Sequence, residues 1–288
     1  MEQAHSLQEL GYQLEFFLIS GKGTWPYLRH VCKLIFRVWR EPKPWLIHAH
    51  FVWSGLVAVL QLRVPVVVTF HGCDLNVPKL RKISDKVVRR LSRYSIVVNE
   101  AMLPYLSGGK KAWVPCGIDT SLFSLCNKQS ARERLGLDPE KRIILFSSTF
   151  DRIEKNYHLA AQAIDLLNFE VDVLEFSGYS RIDSSLLYSA VDCLLLTSIR
   201  EGSPQVIKEA MACGCPIVST DVGDVSWLLG DTVNCFVSSF EPQDVAHKLV
   251  LVLSNGERTN GRERIMELGL DLSSIALRIE RVYRELRI

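Results

Sequence analysis

The 288-residue chain is long enough to bury two cores, and its length suggests two domains. Hydrophobic residues make up 48% and charged residues 23%, which excludes a disordered or low-complexity chain. A formal net charge of +2 gives no global argument for nucleic acid, and no base-reading module is recognisable, so no nucleic-acid partner is expected.

In chain order the pattern alternates. Residues 3–10 read as a helix and 12–19 (YQLEFFLI) as a strand. Apolar positions 28, 31, 35 and 38 predict a helix over 26–40. The longest uncharged stretch, 44–62, contains His48, His50, Ser54 and Gln61, and reads as a strand (45–49) and a helix (52–62) rather than a membrane span. A strand at 64–70 (VPVVVTF), a basic helix at 79–93 and a strand at 95–99 follow. The turn-rich VPCGIDTSLFSLCNKQ (114–129) interrupts the rhythm and is the expected linker. Beyond it come helix 130–135, strand 142–147, helix 157–167, strand 171–176, helix 184–190, strand 193–197, helix 204–213 and strand 216–219. A short strand near 234–237, then helices at 242–254, 261–268 and 272–286, complete the chain. This is the rhythm of two α/β, doubly wound, Rossmann-like parallel-sheet domains, expected to face each other across a cleft. The expected bounds are 1–123, 124–270 and a terminal helix, 271–288, packed back on the first domain.

Eight scattered cysteines with no C-x-x-C pair argue against a disulfide framework or a metal centre, and read as buried free thiols in a reducing compartment. MEQAHSLQEL has no apolar core and does not read as a signal peptide. The dinucleotide G-x-G-x-x-G, the G-K-[ST] phosphate loop and the G-x-S-x-G elbow are absent from the sequence; SGKGTW (20–25) lacks the spacing.

The most informative segment is 197–224, TSIREGSPQVIKEAMACGCPIVSTDVGD. Glu201 opens a turn of Gly202 and Ser203. Ser203 reads as an N-cap and Pro204 as the first helical residue, with Gln205 next; Gly214 and Pro216 stop the helix. Amide groups around 202–206 would then point outward at the positive helix end, a ready phosphate site. Glu209 lies eight positions after Glu201, so both acids can flank one ligand. The string resembles the signature of retaining GT-B glycosyltransferases of family four.

Other segments extend that resemblance. His71 ends VPVVVTF and opens HGCD, at the carboxyl end of a strand where ligands bind; T-x-H-G-x-D resembles the family's first-domain motif, whose His lies near the donor sugar. His48 and His50 form a second pair at a strand end. Arg152 and Lys155 stand at a helix start, against its dipole, a conflict that a bound anion would resolve. FDRIEKN resembles the family's diphosphate loop, with Arg152 the weaker match by spacing. VPCGID resembles the inter-domain turn, with Cys116 where Asn is commoner. Asp221, Gly223 and Asp224 are given no role beyond their loop.

The resemblance implies transfer of a sugar from a nucleotide-sugar donor to a saccharide or lipid-linked acceptor with retention, in cell-surface polysaccharide synthesis. It puts Lys155 and Arg152 on the diphosphate, residues 202–205 beneath it, Glu209 on the ribose, and Glu201 and His71 on the sugar. The nucleotide-sugar is a co-substrate, and no metal or other cofactor is expected.

Helix 26–40 mixes Arg29, Lys33, Arg37 and Arg40 with Trp25, Tyr27, Phe36 and Trp39, and Lys43 and Trp45 follow. It reads equally as a peripheral contact with an anionic membrane (residues 25–45) at the inner face of a cytoplasmic location, or as a core helix with a solvated basic face. A doubly wound domain normally opens with a strand, and here the chain opens on a helix. The expectation is a missing first strand and a truncated reading frame. That leaves a non-catalytic sugar-nucleotide-binding or scaffolding homologue as the alternative, with a nucleotide-sugar epimerase behind it.

Overall fold

A computed structural model describes residues 2–21, 25–40 and 44–286. The chain divides into two compact units, Met1–Cys116 with Ser273–Ile288, and Gly117–Leu272, so the division falls inside the VPCGID turn.

The first unit runs α1 (Glu2–Glu9), α2 (Trp25–Arg40), β1 (Ile47–His50), α3 (Val52–Val59), β2 (Val66–Phe70), α4 (Cys73–Asn76), α5 (Pro78–Ile83), β3 (Tyr94–Val97) and β4 (Lys111–Trp113). Its sheet is parallel throughout, in the order β1-β2-β3-β4. Every residue of β2, VVVTF, is buried, as expected of an apolar run covered on both faces.

The second unit runs α6 (Lys128–Leu135), β5 (Ile143–Phe146), α7 (Tyr157–Asp165), β6 (Asp172–Glu175), α8 (Arg181–Ala190), β7 (Cys193–Leu196), α9 (Gln205–Ala212), β8 (Ile217–Thr220), α10 (Val225–Leu229), β9 (Cys235–Ser238), α11 (Pro242–Asn255) and α12 (Gly261–Glu267). Its parallel sheet has the order β6-β5-β7-β8-β9. The chain leaves β5 toward β6 and then returns to the other side of β5 as β7. The space outside the carboxyl ends of β5 and β7 is therefore a topological switch point, where open α/β sheets bind ligands. The buried Arg132 ties this unit's lower rim, donating to the carbonyls of Ala190, Pro139 and Lys141 and to Asp192. The last helix, α13 (Leu272–Arg284), packs within the first unit, where the Tyr283 ring meets Tyr12 and Trp45 edge-on.

Three expectations are corrected, and one strand was not expected. Residues 12–19 form no strand. Their side chains supply the packing instead: Phe17 and Ile19 join Leu34, Val38, Val57 and Val64 in a small apolar cluster, while the backbone enters no ladder. The helix expected at 79–93 is α5 followed by a wider π-helical turn, Ser84–Arg89, in which the buried Ser84 hydroxyl donates to the Asp74 carbonyl at 3.0 Å. The short strand β4 had no apolar run to announce it. Of the eight cysteines, Cys193, Cys213, Cys215 and Cys235 are buried, but Cys32, Cys73 and Cys126 are exposed and Cys116 is half-buried; among the described residues none forms a disulfide.

Candidate functional site

The site in the second unit is built at the switch point. After β5 the chain makes a single 3-10 turn, Ile153–Lys155, closed by Asn156 in the left-handed region (φ 54°), before α7 begins. The Thr197 hydroxyl, just past β7, donates to the carbonyls of Lys155 and Asn156 at 3.1 and 3.0 Å. The Ile199 amide donates to the Glu154 carbonyl at 3.0 Å. These bonds sew the loop after β5 to the loop after β7.

At that seam the Lys155 ammonium donates to Glu201 Oε1 at 2.6 Å, and the Ser198 hydroxyl reaches the same oxygen at 2.8 Å. Both side chains of the ion pair are largely shielded. The two residues are 46 positions apart in sequence and come from two different motifs. Arg152 is different. Its side chain is exposed and forks onto Glu154 at 2.6 Å.

Glu201, Gly202 and Ser203 lead into α9, whose N-cap is Pro204 and whose first helical residue is Gln205. The expected N-cap, Ser203, makes no cap, because its hydroxyl is committed elsewhere. It donates to Asp224 Oδ2 at 2.6 Å and accepts from Lys208 Nζ at 2.8 Å. Lys208, fully buried, also donates to Gln205 Oε1 at 3.2 Å, and the Gln205 amide donates to the Gly117 carbonyl at 3.0 Å. Burial raises the pKa of Asp224, while the Lys208 charge and the Ser203 hydroxyl oppose that rise. Its Oδ1 is buried with no hydrogen-bond partner among the described residues. Gly223 (φ 65°) makes the close approach possible: a Cβ there would stand 2.8 Å from the Gly202 carbonyl oxygen. The loop after β8 thus braces the loop that carries Glu201.

Glu209 is buried in α9. It accepts from the Tyr188 hydroxyl at 2.9 Å, and Arg181 stands 3.9 Å from its other oxygen. Burial, and then the Glu209 charge, lift the Tyr188 pKa well above its ordinary value, so the phenol remains a donor. Lys208, Tyr188 and Arg181 were not singled out from sequence, and Asp224 was given no role beyond its loop. Only a lysine inside the otherwise apolar face of QVIKEAMA hinted at the first.

His71 lies in the first unit at the carboxyl end of β2. Its Nε2 faces His50 Nδ1 at 3.1 Å, and its Nδ1 lies 3.9 Å from the Cys116 sulfur. His48 stacks on His50 and is held between the Tyr283 hydroxyl (2.6 Å) and the Thr69 hydroxyl (2.7 Å). His50 and Cys116 use opposite nitrogens of His71, so the three do not converge on one point. Among the described residues no group of three or more His, Cys, Asp or Glu side chains is set to hold a metal ion.

On α2, Trp25, Leu28, Phe36 and Trp39 are exposed, with Arg40 over the Phe36 ring at 4.7 Å and Arg63 over Trp39 at 4.8 Å. Lys43 lies outside the described residues. No helix among the described residues is long and apolar enough to cross a membrane.

The two parallel-sheet units have the Rossmann-like GT-B fold. The structure superposes on sucrose-phosphate synthase from Thermosynechococcus elongatus with a TM-score of 0.77 at 22% identity, over 91% of this chain and 78% of the other. It also superposes on Anabaena HepE in complex with UDP-glucose, with a TM-score of 0.73 at 19% identity, over 98% and 88%. A Glycosyltransferase Family 4 model matches residues 2–122, and a model for Glycosyl transferases group 1 matches residues 154–255. TuaC of Bacillus subtilis (strain 168), a glycosyltransferase assigned to teichuronic acid biosynthesis, is 30% identical over 73% of this chain. A D-inositol 3-phosphate glycosyltransferase of Mycobacterium sp. (strain KMS) is 26% identical over 76%. The chain spans 61% of the length of each of these two relatives. In fold, in family models and in relatives the chain is similar to the GT-B glycosyltransferases of family four.

Proposed function

We propose that the chain transfers a sugar from a nucleotide-sugar to a saccharide or lipid-linked acceptor with retention of anomeric configuration, in cell-surface polysaccharide synthesis. The observation that carries this reading is the Lys155–Glu201 pair at 2.6 Å, held at the β5/β7 switch point ahead of the α9 N-terminus. A cation, an acid and the amide-rich start of a helix meet there, and a diphosphate needs the first and the last. The nucleotide named in the HepE complexes and the pathway named for TuaC agree with it.

In the reaction, Lys155 leaves Glu201 for the diphosphate, and Arg152 swings from Glu154 to assist. The loop 202–205 cradles the phosphates, Glu209 takes the ribose hydroxyls and the released Glu201 takes the sugar; in the first unit, His71 keeps the sugar-contacting role that the resemblance implies. The bond from the anomeric carbon to the diphosphate oxygen breaks, and that oxygen takes the electron pair. The acceptor hydroxyl attacks from the same face and gives its proton to the departing phosphate. Once on the diphosphate, Lys155 and Arg152 neutralise the growing charge in place of a metal.

The exposed aromatics and basic residues of α2 fit an anionic membrane surface on the cytoplasmic side, each basic residue adding about 1 kcal/mol. Lys155→Ala tests the reading. It should lower kcat by about 10²–10³-fold, the usual cost of losing one transition-state donor, while circular dichroism stays unchanged. Near-normal turnover of UDP-, GDP- or ADP-sugars by that variant would remove the mechanism.

A further inference from the structure

Phe51, between β1 and α3, has φ 69° and ψ 154°, a region that favours glycine. Its neighbours enforce this conformation. The Phe51 amide donates to the Thr69 carbonyl at 2.9 Å, and the Gly55 amide donates to the Phe51 carbonyl at 2.9 Å. The next amide, Val52, donates to Asp74 Oδ1 at 3.0 Å, while the His71 amide donates to Asp74 Oδ2 at 2.6 Å. Asp74 is almost fully buried, so one carboxylate clamps the turn after β1 to the turn after β2. The strained residue also keeps a large apolar ring 45% exposed. Hydrophobic burial and backbone relaxation both act against this arrangement. What it achieves is contact: the Phe51 ring stacks on the His71 imidazole, centroids 4.3 Å apart and planes 29° apart. His50 holds the same imidazole by its edge.

We infer that Phe51 is a positioning residue, which by covering the face of His71, with His50 on its edge, holds in one orientation the side chain that meets the sugar. The inference rests on reading His71 as a sugar contact. A ligand hydroxyl would take His71 Nδ1, where the contact described, the Cys116 sulfur, is distant at 3.9 Å. Strain is the useful signature. Glycine at 51 relieves the backbone and removes the ring, so stability and activity should move in opposite directions.

The experiment compares Phe51→Gly and Phe51→Tyr with the parent protein by Tm, by nucleoside diphosphate release from UDP-, GDP- and ADP-sugars, and by ¹⁵N NMR of the histidine rings, with His71 assigned through His71→Gln. Phe51→Gly should keep or raise Tm, lower kcat by about tenfold or more with the donor KM unchanged, and shift the His71 ring signals; a misplacement of about 1 Å costs about 10²-fold. Phe51→Tyr, which keeps a flat ring, should retain turnover and the parent signals. A lowered Tm in Phe51→Gly, or unmoved His71 signals, overturns the inference. If the parent releases no nucleoside diphosphate from any donor, the transferase reading fails, and the His71 signals alone still decide whether Phe51 orients the ring.

Discussion

Lys208 carries its charge to a place with no solvent, one turn into α9, where the Ser203 hydroxyl links it to the carboxylate of Asp224. Removing one member of such a network leaves the other charge uncompensated, typically at a cost of about 3–5 kcal/mol. Lys208→Met should therefore lose about 3 kcal/mol in urea unfolding, and adding Asp224→Asn should recover part of that loss. Strictly additive losses would show that the two do not act together. The buried thiols give a second expectation at this scale. Burial pushes Cys213 and Cys235 up to about 12 and Cys215 to about 11, and lifts Cys193 well above its usual value. Iodoacetamide at pH 8 should then modify the exposed Cys32 and Cys126 and spare these four until the chain unfolds, as read by peptide mass spectrometry. Lys155 and Glu201 were singled out in the sequence because local oddities, a cation against a helix dipole and an acid opening a Gly-Ser-Pro turn, fell inside strings that resemble a known signature; the oddities alone would have read as a solvated turn. Tyr188, Arg181 and Asp224 carried no legible role, because their meaning lies in contacts made across the fold by residues with nothing unusual beside them.

At the scale of elements, β2 and β7 were readable because apolar runs that short, bounded by turns, have few other uses. The segment 12–19 had the same look and no ladder to join, which no local pattern reveals. The helix α9 began one residue later than capping rules suggested, since Asp224 and Lys208 outcompete the backbone for the Ser203 hydroxyl. The pairing of α13 with the first sheet runs through His48, between Tyr283 and Thr69. Burial, then the charges of His50 and His71, hold the His48 pKa well below 6.5. The unfolded chain therefore binds the proton that the native state refuses, and stability should fall as pH drops below 6.5. Urea midpoints at pH 8 and pH 5 should differ in that direction, and His48→Gln should narrow the gap. An equal gap in that variant would assign the acid limb to other groups.

For the whole molecule, the two α/β units and their parallel sheets followed from alternation alone, whereas the strand order β6-β5-β7-β8-β9 did not. That order brings the loop after β5 to the loop after β7 and so creates a site from two motifs distant in sequence. The account depends on a nucleoside diphosphate entering this point and opening the Lys155–Glu201 pair. The direct measurement is a crystal structure of the protein soaked with whichever of UDP, GDP or ADP raises its Tm most. We expect diphosphate oxygens within hydrogen-bonding distance of Lys155 Nζ and of the amides at the start of α9, with Glu201 released. A nucleotide bound elsewhere, with Lys155 still on Glu201, would contradict the account.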